Sequence, residues 1–187
     1  TDKLESFSFF FIHDSERNRL IIDDIKLEAN TGKKILVLTE RKAHIDVLYQ
    51  YLKNKYEVIA ISGDDPASSK KLKFKQIKDG HFQILIATGQ LLGEGADFDN
   101  LECLILAYPF AFEGKLIQYI GRVQRNEVAP IVYDYRDIHI DYLDKQFKQR
   151  NRYYRSLLNT GQLNRFDEIL LIFEGTNVLL NSPDCVL

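Results

Sequence analysis

The sequence predicts a three-layer α/β domain with a mainly parallel central sheet, and three observations carry that prediction. Short continuous apolar runs of about five residues recur along the chain, the pattern of strands covered on both faces rather than of a half-exposed sheet. Amphipathic stretches of roughly ten or more residues separate them, as right-handed crossovers between parallel strands require. The 187 residues, 45% hydrophobic and 28% charged, suffice for one sizeable domain with a real core.

The elements follow in order. Phe7, Phe9, Phe10 and Phe11 suit a buried or half-buried strand within residues 1–12. Asp14 or Ser15 can cap the next helix, with Glu16 in its first turn. That helix turns Leu20, Ile21, Ile25 and Ala29 inward, and Asn30-Thr31-Gly32 ends it with a residue tolerant of positive φ. Ile35-Leu36-Val37-Leu38 is a strand. The spacing predicts a helix over 43–55 with His44, Leu48, Tyr51 and Leu52 on one side, then a strand at Glu57-Val58-Ile59-Ala60-Ile61. Ser62-Gly63-Asp64-Asp65-Pro66 is a turn by composition. A lysine-rich helix around Leu72 and Ile77 closes at Gly80, its Lys70, Lys71, Lys73, Lys75 and Lys78 reading as a solvated face. Gln83-Ile84-Leu85-Ile86-Ala87 and Cys103-Leu104-Ile105-Leu106-Ala107 are two further strands, with a glycine-rich loop over 88–97 between them.

A helix over 114–124 and a strand at Ile131-Val132-Tyr133-Asp134-Tyr135 come next. The last long helix, over 141–158, places Leu143, Phe147, Tyr154 and Leu158 inward and Lys145, Lys148, Arg150, Arg152 and Arg155 outward. Residues 161–187, around Ile169-Leu170-Leu171-Ile172-Phe173, are expected as a short strand or helix in a C-terminal extension packed on a domain of residues 1–160. Parallel strands end on one edge of the sheet, and ligands of such domains sit beyond that edge. Thr39, Ser62, Thr88 and Tyr108 follow strand ends and belong there, with the loop after Thr88 in the middle.

The totals narrow the chemistry. A net charge of -2 gives no global nucleic-acid footprint, so any such binding needs a local patch. No apolar run reaches membrane-spanning length and no basic-then-apolar leader opens the chain, so no membrane partner and a cytoplasmic setting are expected. Cys103 and Cys185 make neither a disulfide framework nor a metal-ligand spacing, and His13, His44, His81 and His139 are scattered, so no metal is assigned. The chain opens at Thr1 and contains no methionine, which points to a piece of a longer protein.

The stretch with the most chemical content is Gln118-Tyr119-Ile120-Gly121-Arg122-Val123-Gln124-Arg125. On a helix, Gln118, Arg122 and Arg125 stand at i, i+4 and i+7 and share a stripe, while Leu116, Ile117, Ile120 and Val123 face the other way. Gly121 removes bulk beside the stripe. Guanidinium is always charged and its planar fork matches phosphate oxygens, so two on a rigid helix suit a polyphosphate. A phosphate loop of the form Gly-x4-Gly-Lys-Ser/Thr is absent: Gly32-Lys33 and Gly114-Lys115 lack both the earlier glycine and the following hydroxyl. Gly93-Glu94-Gly95-Ala96-Asp97-Phe98 lacks the third glycine of a dinucleotide fingerprint, and Asp167-Glu168 precedes an apolar run instead of ending one. Cationic groups without a cradle or a metal site make a half-site, completed by another domain across a cleft.

These residues carry a resemblance. The chain resembles, over about residues 15–140, the C-terminal (second) RecA-like, P-loop NTPase-like domain of superfamily 2 DEAD/DEAH-like helicases, in the branch of type III restriction subunits and XPB-like or RadD-like proteins. Gln118-x-x-Gly121-Arg122-x-x-Arg125 resembles motif VI, which implies that Arg125 is an arginine finger on the γ-phosphate of ATP, that Arg122 helps to sense it, and that Gln118 belongs to the catalytic set. Ile84-Leu85-Ile86-Ala87-Thr88 through Gly93-Glu94-Gly95-Ala96-Asp97 resembles motif V, which implies a nucleic-acid contact at Thr88 and nucleotide contacts at Gly95 and Asp97. Ile35-Leu36-Val37-Leu38-Thr39-Glu40-Arg41 resembles motif IV, and Ser62-Gly63 the loop that follows; Thr39, Arg41, Ser62 and Gly63 are then expected along the nucleic-acid backbone. The resemblance implies partners as well: the N-terminal RecA-like domain of the same parent chain, which would hold most of the Mg2+ site, and a nucleic acid. Tyr119 stands where many relatives have arginine, Val123-Gln124 replaces the Thr-Gly common in the RNA branch, and Gln118 replaces its histidine, so DNA is favoured over RNA.

Two other readings remain open on sequence. A non-hydrolysing RecA-like module that binds nucleic acid or protein would have no need of Arg122 and Arg125. A self-contained nucleotide- or sugar-binding enzyme using the Gly93 loop would bind its ligand tightly by itself.

Overall fold

The structure, a computed structural model, describes residues 14–94, 100–110, 114–123 and 129–171, with backbone alone at 92–94, 114, 115, 118, 122, 123 and 168–171. The phenylalanine-rich strand expected within 1–12 lies outside the described residues.

Asp14 caps α1 (Ser15–Ala29): its Oδ1 accepts from the backbone N–H of Glu16 at 3.1 Å and of Arg17 at 3.0 Å. Gly32, at φ +84°, turns the chain into β1 (Ile35–Thr39). There follow α2 (Lys42–Leu52), β2 (Val58–Ile61), α3 (Ala67–Lys78), β3 (Ile84–Thr88), a short 3-10 helix (Gly89–Glu94), β4 (Cys103–Leu106), α4 (Gly114–Val123), β5 (Ile131–Asp137), α5 (Asp141–Asn159) and β6 (Arg165–Leu171).

The strands form one six-stranded sheet in the order β2-β3-β1-β4-β5-β6, parallel at every pairing. From β1 the chain winds outward to β2 with α2 on one face; it then winds back through β3 and on to β6 with α3, α4 and α5 on the other. Reversing direction while changing face is what right-handed crossovers demand. Ile21, Ile25, Ile45 and Leu48 cover Ile35, Val37, Ile86 and Ile105 on the first face. Ile77, Leu116, Ile120, Leu143 and Leu157 cover Leu36, Leu38, Leu85 and Leu104 on the second. Each such side chain stabilises the fold by roughly 1.5–3 kcal/mol relative to exposure, which is why β1, β3 and β4 read as unbroken apolar runs.

Several expectations shift. Tyr51 and Leu72 are 65% and 61% exposed, because the buried arc of α2 runs through His44, Ile45, Leu48 and Leu52 and that of α3 narrows to Ile77. On α4, Ile117 is 42% exposed and Tyr119 takes its place inside, since Leu116, Tyr119 and Ile120 stand at i, i+3 and i+4. On α5, Leu157 is buried and Leu158 only half-buried. Arg150, expected outward, is 1% exposed. Residues 161–164 turn the chain, and β6 then pairs with β5 along its whole length, from Ile131↔Arg165 to Asp137↔Leu171. Residues 172–187 lie outside the described residues.

Candidate functional site

The carboxyl ends of the parallel strands present, from the β2 side inward, Ser62, Thr88, Thr39 and Ala107. β1, not β3, holds the middle of this edge, so the loop after Thr88 lies between those after β2 and β1. The chain leaves β1 in one direction and β4 in the other, so the topological switch point, where α/β sheets open a ligand crevice, falls between Thr39 and Ala107.

The five residues expected on a nucleic-acid backbone divide into two kinds. Thr39 is fully buried, and its Oγ1 lies 2.8 Å from His44 Nδ1, while His44 Nε2 lies 2.9 Å from Asn18 Oδ1. Both contacts are satisfied by a neutral imidazole, Nε2–H donating to Asn18 and Nδ1 accepting from the Thr39 hydroxyl. Burial first, and the Arg17 cation second, hold the imidazole neutral and bring its pKa down to about 3. Ser62 is 2% exposed; its hydroxyl donates to Asp65 Oδ1 at 3.1 Å and its N–H to Oδ2 at 3.3 Å, and Lys73 pairs with the same carboxylate at 2.8 Å. Burial raises the Asp65 pKa, but the Lys73 and Ser62 donors outweigh it and the net shift is downward. The Thr39 and Ser62 hydroxyls thus each have a partner within the fold, which fixes the ends of β1 and β2.

Arg41, Thr88 and Gly63 are different. Thr88 Oγ1 and Arg41 Nε are buried without a hydrogen-bond partner, a state few native polar atoms occupy. Gly63 accepts from Lys70 Nζ at 3.1 Å, and a Cβ there would sit 3.3 Å from Gln90 Oε1.

Beside this edge lies α4, anchored by Leu116, Tyr119 and Ile120. Gln118 and Arg122 both fall on its helical backbone one turn apart, and Gly121 is exposed with open space around it. Arg125, Gly95 and Asp97 lie outside the described residues. Tyr119 packs edge-on against Phe110 with ring centroids 5.9 Å apart. Burial, then the Glu40 charge, push its hydroxyl up to about 12.

Sequence reasoning missed a buried charge network beneath the edge. Arg150 donates to Asp134 through Nε at 2.7 Å and Nη2 at 3.1 Å, Tyr154 donates to Asp134 Oδ2 at 2.9 Å, and Arg150 Nη1 donates to the Phe110 carbonyl at 2.5 Å. Arg17, fully buried on α1, donates to the Ala107 carbonyl at 2.7 Å and pairs with Asp137 at 3.7 Å. Burial raises the Asp137 pKa against the pull of Arg17 and Arg150. Two guanidiniums thus hold the backbone of 107–110, the segment leading from β4 toward α4. The signal was Asp134 itself: a carboxylate inside the apolar run Ile131-Val132-Tyr133-Asp134-Tyr135 requires a buried cation. Among the described residues, no group of three or more His, Cys, Asp or Glu is arranged to hold a metal ion.

Comparison with known proteins converges on one family. The sequence profile of the helicase conserved C-terminal domain matches residues 16–127. The putative ATP-dependent RNA helicase L396 of Acanthamoeba polyphaga mimivirus is 33% identical over 151 residues, 79% of this chain and 28% of that protein. The transcript termination protein A18 of fowlpox virus is 28% identical over 115 residues, 60% of this chain and 25% of its own length. The chain spans about a quarter of the length of these relatives. Among solved structures, T4 UvsW superimposes with a TM-score of 0.68 at 22% identity, covering 92% of this chain and 38% of UvsW. The C-terminal domain of the DEAD-box protein Dbp5 gives 0.58 at 17% identity, covering 80% of this chain and 83% of that domain. These likenesses establish the fold as a RecA-like α/β domain.

Proposed function

The chain belongs to the helicase conserved C-terminal domain family, and from that premise we propose that it is the second motor domain of an ATP-dependent nucleic-acid helicase or translocase acting in the cytoplasm. The observation that carries this reading is the meeting, on one sheet edge, of α4 with its Gln118 and Arg122 and the buried, unpartnered Thr88 hydroxyl and Arg41 Nε. Groups that find no partner within the fold are suited to one from outside. Relatives named ATP-dependent helicases support ATP as the substrate.

In this proposal ATP and Mg2+ are held mainly by an N-terminal RecA-like domain of the full-length protein, which supplies the phosphate loop that this chain lacks. Arg125 and Arg122 stabilise the charge that develops on the γ-phosphoryl group as water attacks; Gln118, Gly95 and Asp97 complete the nucleotide side. Thr39, Arg41, Ser62, Gly63 and Thr88 lie along the strand backbone. Backbone contacts carry no sequence information, which suits a translocase. DNA is the polymer we favour, on Gln118 and Val123-Gln124; two relatives are named RNA helicases, and the experiment decides between them.

The test is ATP hydrolysis by the full-length protein on DNA and on RNA, wild type against Arg125→Ala. An arginine finger contributes roughly 10³–10⁵ in rate, so hydrolysis should fall by orders of magnitude while ATP binding persists, and the better-stimulating polymer is the substrate. A variant that hydrolyses like wild type removes the half-site reading and leaves the non-hydrolysing binding module.

A further inference from the structure

Three segments from different parts of the chain converge beside the backbone of Gly89. A Cβ placed there would collide with the Tyr119 hydroxyl, and would lie 2.8 Å from Tyr119 Cζ and 2.9 Å from Glu40 Oε1. Only hydrogen fits. Glu40 stands between Thr39 and Arg41 at the end of β1, Gly89 directly follows Thr88 at the end of β3, and Tyr119 lies on α4 between Gln118 and, one turn on, Arg122. Tyr119 also meets the ring of Phe110, whose carbonyl Arg150 Nη1 holds at 2.5 Å. Tyr119 is 4% exposed and lies against the Gly89 backbone and the Phe110 ring.

We propose that Tyr119 is the positioning residue of α4: seated on Gly89, it sets where the helix carries Gln118 and Arg122, and it passes the state of the polymer-binding loops after β1 and β3 to that helix. The proposal rests on the functional reading above and adds the route by which the two halves of the edge communicate. Gly89 is glycine for the close approach, not for a backbone angle, since its φ is not in the left-handed region. Relieving a 2.8 Å approach to ordinary contact moves the ring by about 1 Å, and a misplacement of about 1 Å at a catalytic group costs on the order of 10²-fold in rate.

The test is a double-mutant cycle of Gly89→Ala and Tyr119→Leu in the full-length protein. Gly89→Ala should lower the polymer-stimulated kcat by about 10²-fold with the KM for ATP little changed, and should add less than about twofold when Tyr119→Leu is already present. Amide hydrogen exchange reads the same contact without ATP: peptides of α4 should exchange about tenfold faster in Gly89→Ala, those of β1 and β3 should not, and Tyr119→Leu should abolish the difference. If Gly89→Ala does not fold, restoration of folding by Tyr119→Leu supports the contact, and failure to restore it counts against it. Additive effects on kcat, or exchange that rises equally across the sheet, would overturn the proposal. Because exchange needs no hydrolysis, it decides the contact even if the helicase reading fails.

Discussion

The two ends of the sheet handle buried charge differently. At the amino end, Glu28 of α1 is 2% exposed and gathers Lys33 Nζ at 2.6 Å, the Tyr133 hydroxyl and Arg165 Nη2 at 2.5 Å, with Lys33 and Arg165 still reaching solvent. That cluster ties the end of α1 to β5 and β6 and leaves its cations wet. At the carboxyl end, Arg17 and Arg150 are buried outright and direct donors at the backbone carbonyls of Ala107 and Phe110. Burying an ion pair is a poor way to gain stability, because desolvation offsets most of the attraction. The amino end holds the fold together; the carboxyl end holds a geometry, that of the segment leading to α4.

The largest expected effect tests that contrast directly. Arg150→Met leaves Asp134 buried and uncompensated and should destabilise by about 3–5 kcal/mol, whereas Arg150→Met with Asp134→Leu should recover most of the loss. Denaturant unfolding of the two variants measures it; equal losses would mean that the pair supplies net stability and not geometry.

The next effect is a pH dependence from His44. Its pKa of about 3 in the fold lies below the ordinary 6.5, so the unfolded chain binds the proton more readily. Its contribution to stability is complete above pH 6.5 and drains away as pH falls toward 3, by about 1.4 kcal/mol per unit. Between pH 6.5 and 5 the loss should be about 2 kcal/mol. Thermal unfolding at the two pH values measures it, and in His44→Gln that slope should vanish.

The smallest effect belongs to the amino end. Burial raises the Glu28 pKa, but hydrogen bonds from Lys33, Tyr133 and Arg165 outweigh it and the net shift is downward from 4.5. The stability it gives is therefore present above pH 4.5 and lost below as the carboxylate protonates in the fold. Glu28→Gln should cost about 1 kcal/mol near neutral pH and leave the ratio of polymer-stimulated to basal hydrolysis unchanged. A changed ratio would show that the amino end reaches the site.

What was legible in the sequence follows from what is local. β1, β3, β4 and β5 were readable because burial on both faces leaves continuous apolar runs, and α1 because Asp14 caps it within three residues. The helix that carries Gln118 and Arg122 was readable because its apolar residues recur at helical spacing. The strand order was not, since nothing in a strand names its neighbour. Nor was the state of the Thr39 hydroxyl, which depends on His44 and through it on Asn18, 26 residues from that histidine in sequence. Arg150 looked like one more cation on a basic helix side; its pairing with Asp134 required α5 to lie over β5. The parallel pairing of β6 was hidden because Arg165, Asp167 and Glu168 break the apolar run that marks the other strands.

The claim that the carboxyl end is the working surface is tested most directly by hydrogen exchange of the full-length protein with and without bound single-stranded DNA or RNA. Protection is predicted at peptides covering 39–42, 62–64 and 88–90, with none at 28–34 or 163–167. Protection at the amino end, or at neither end under saturating polymer, would contradict it.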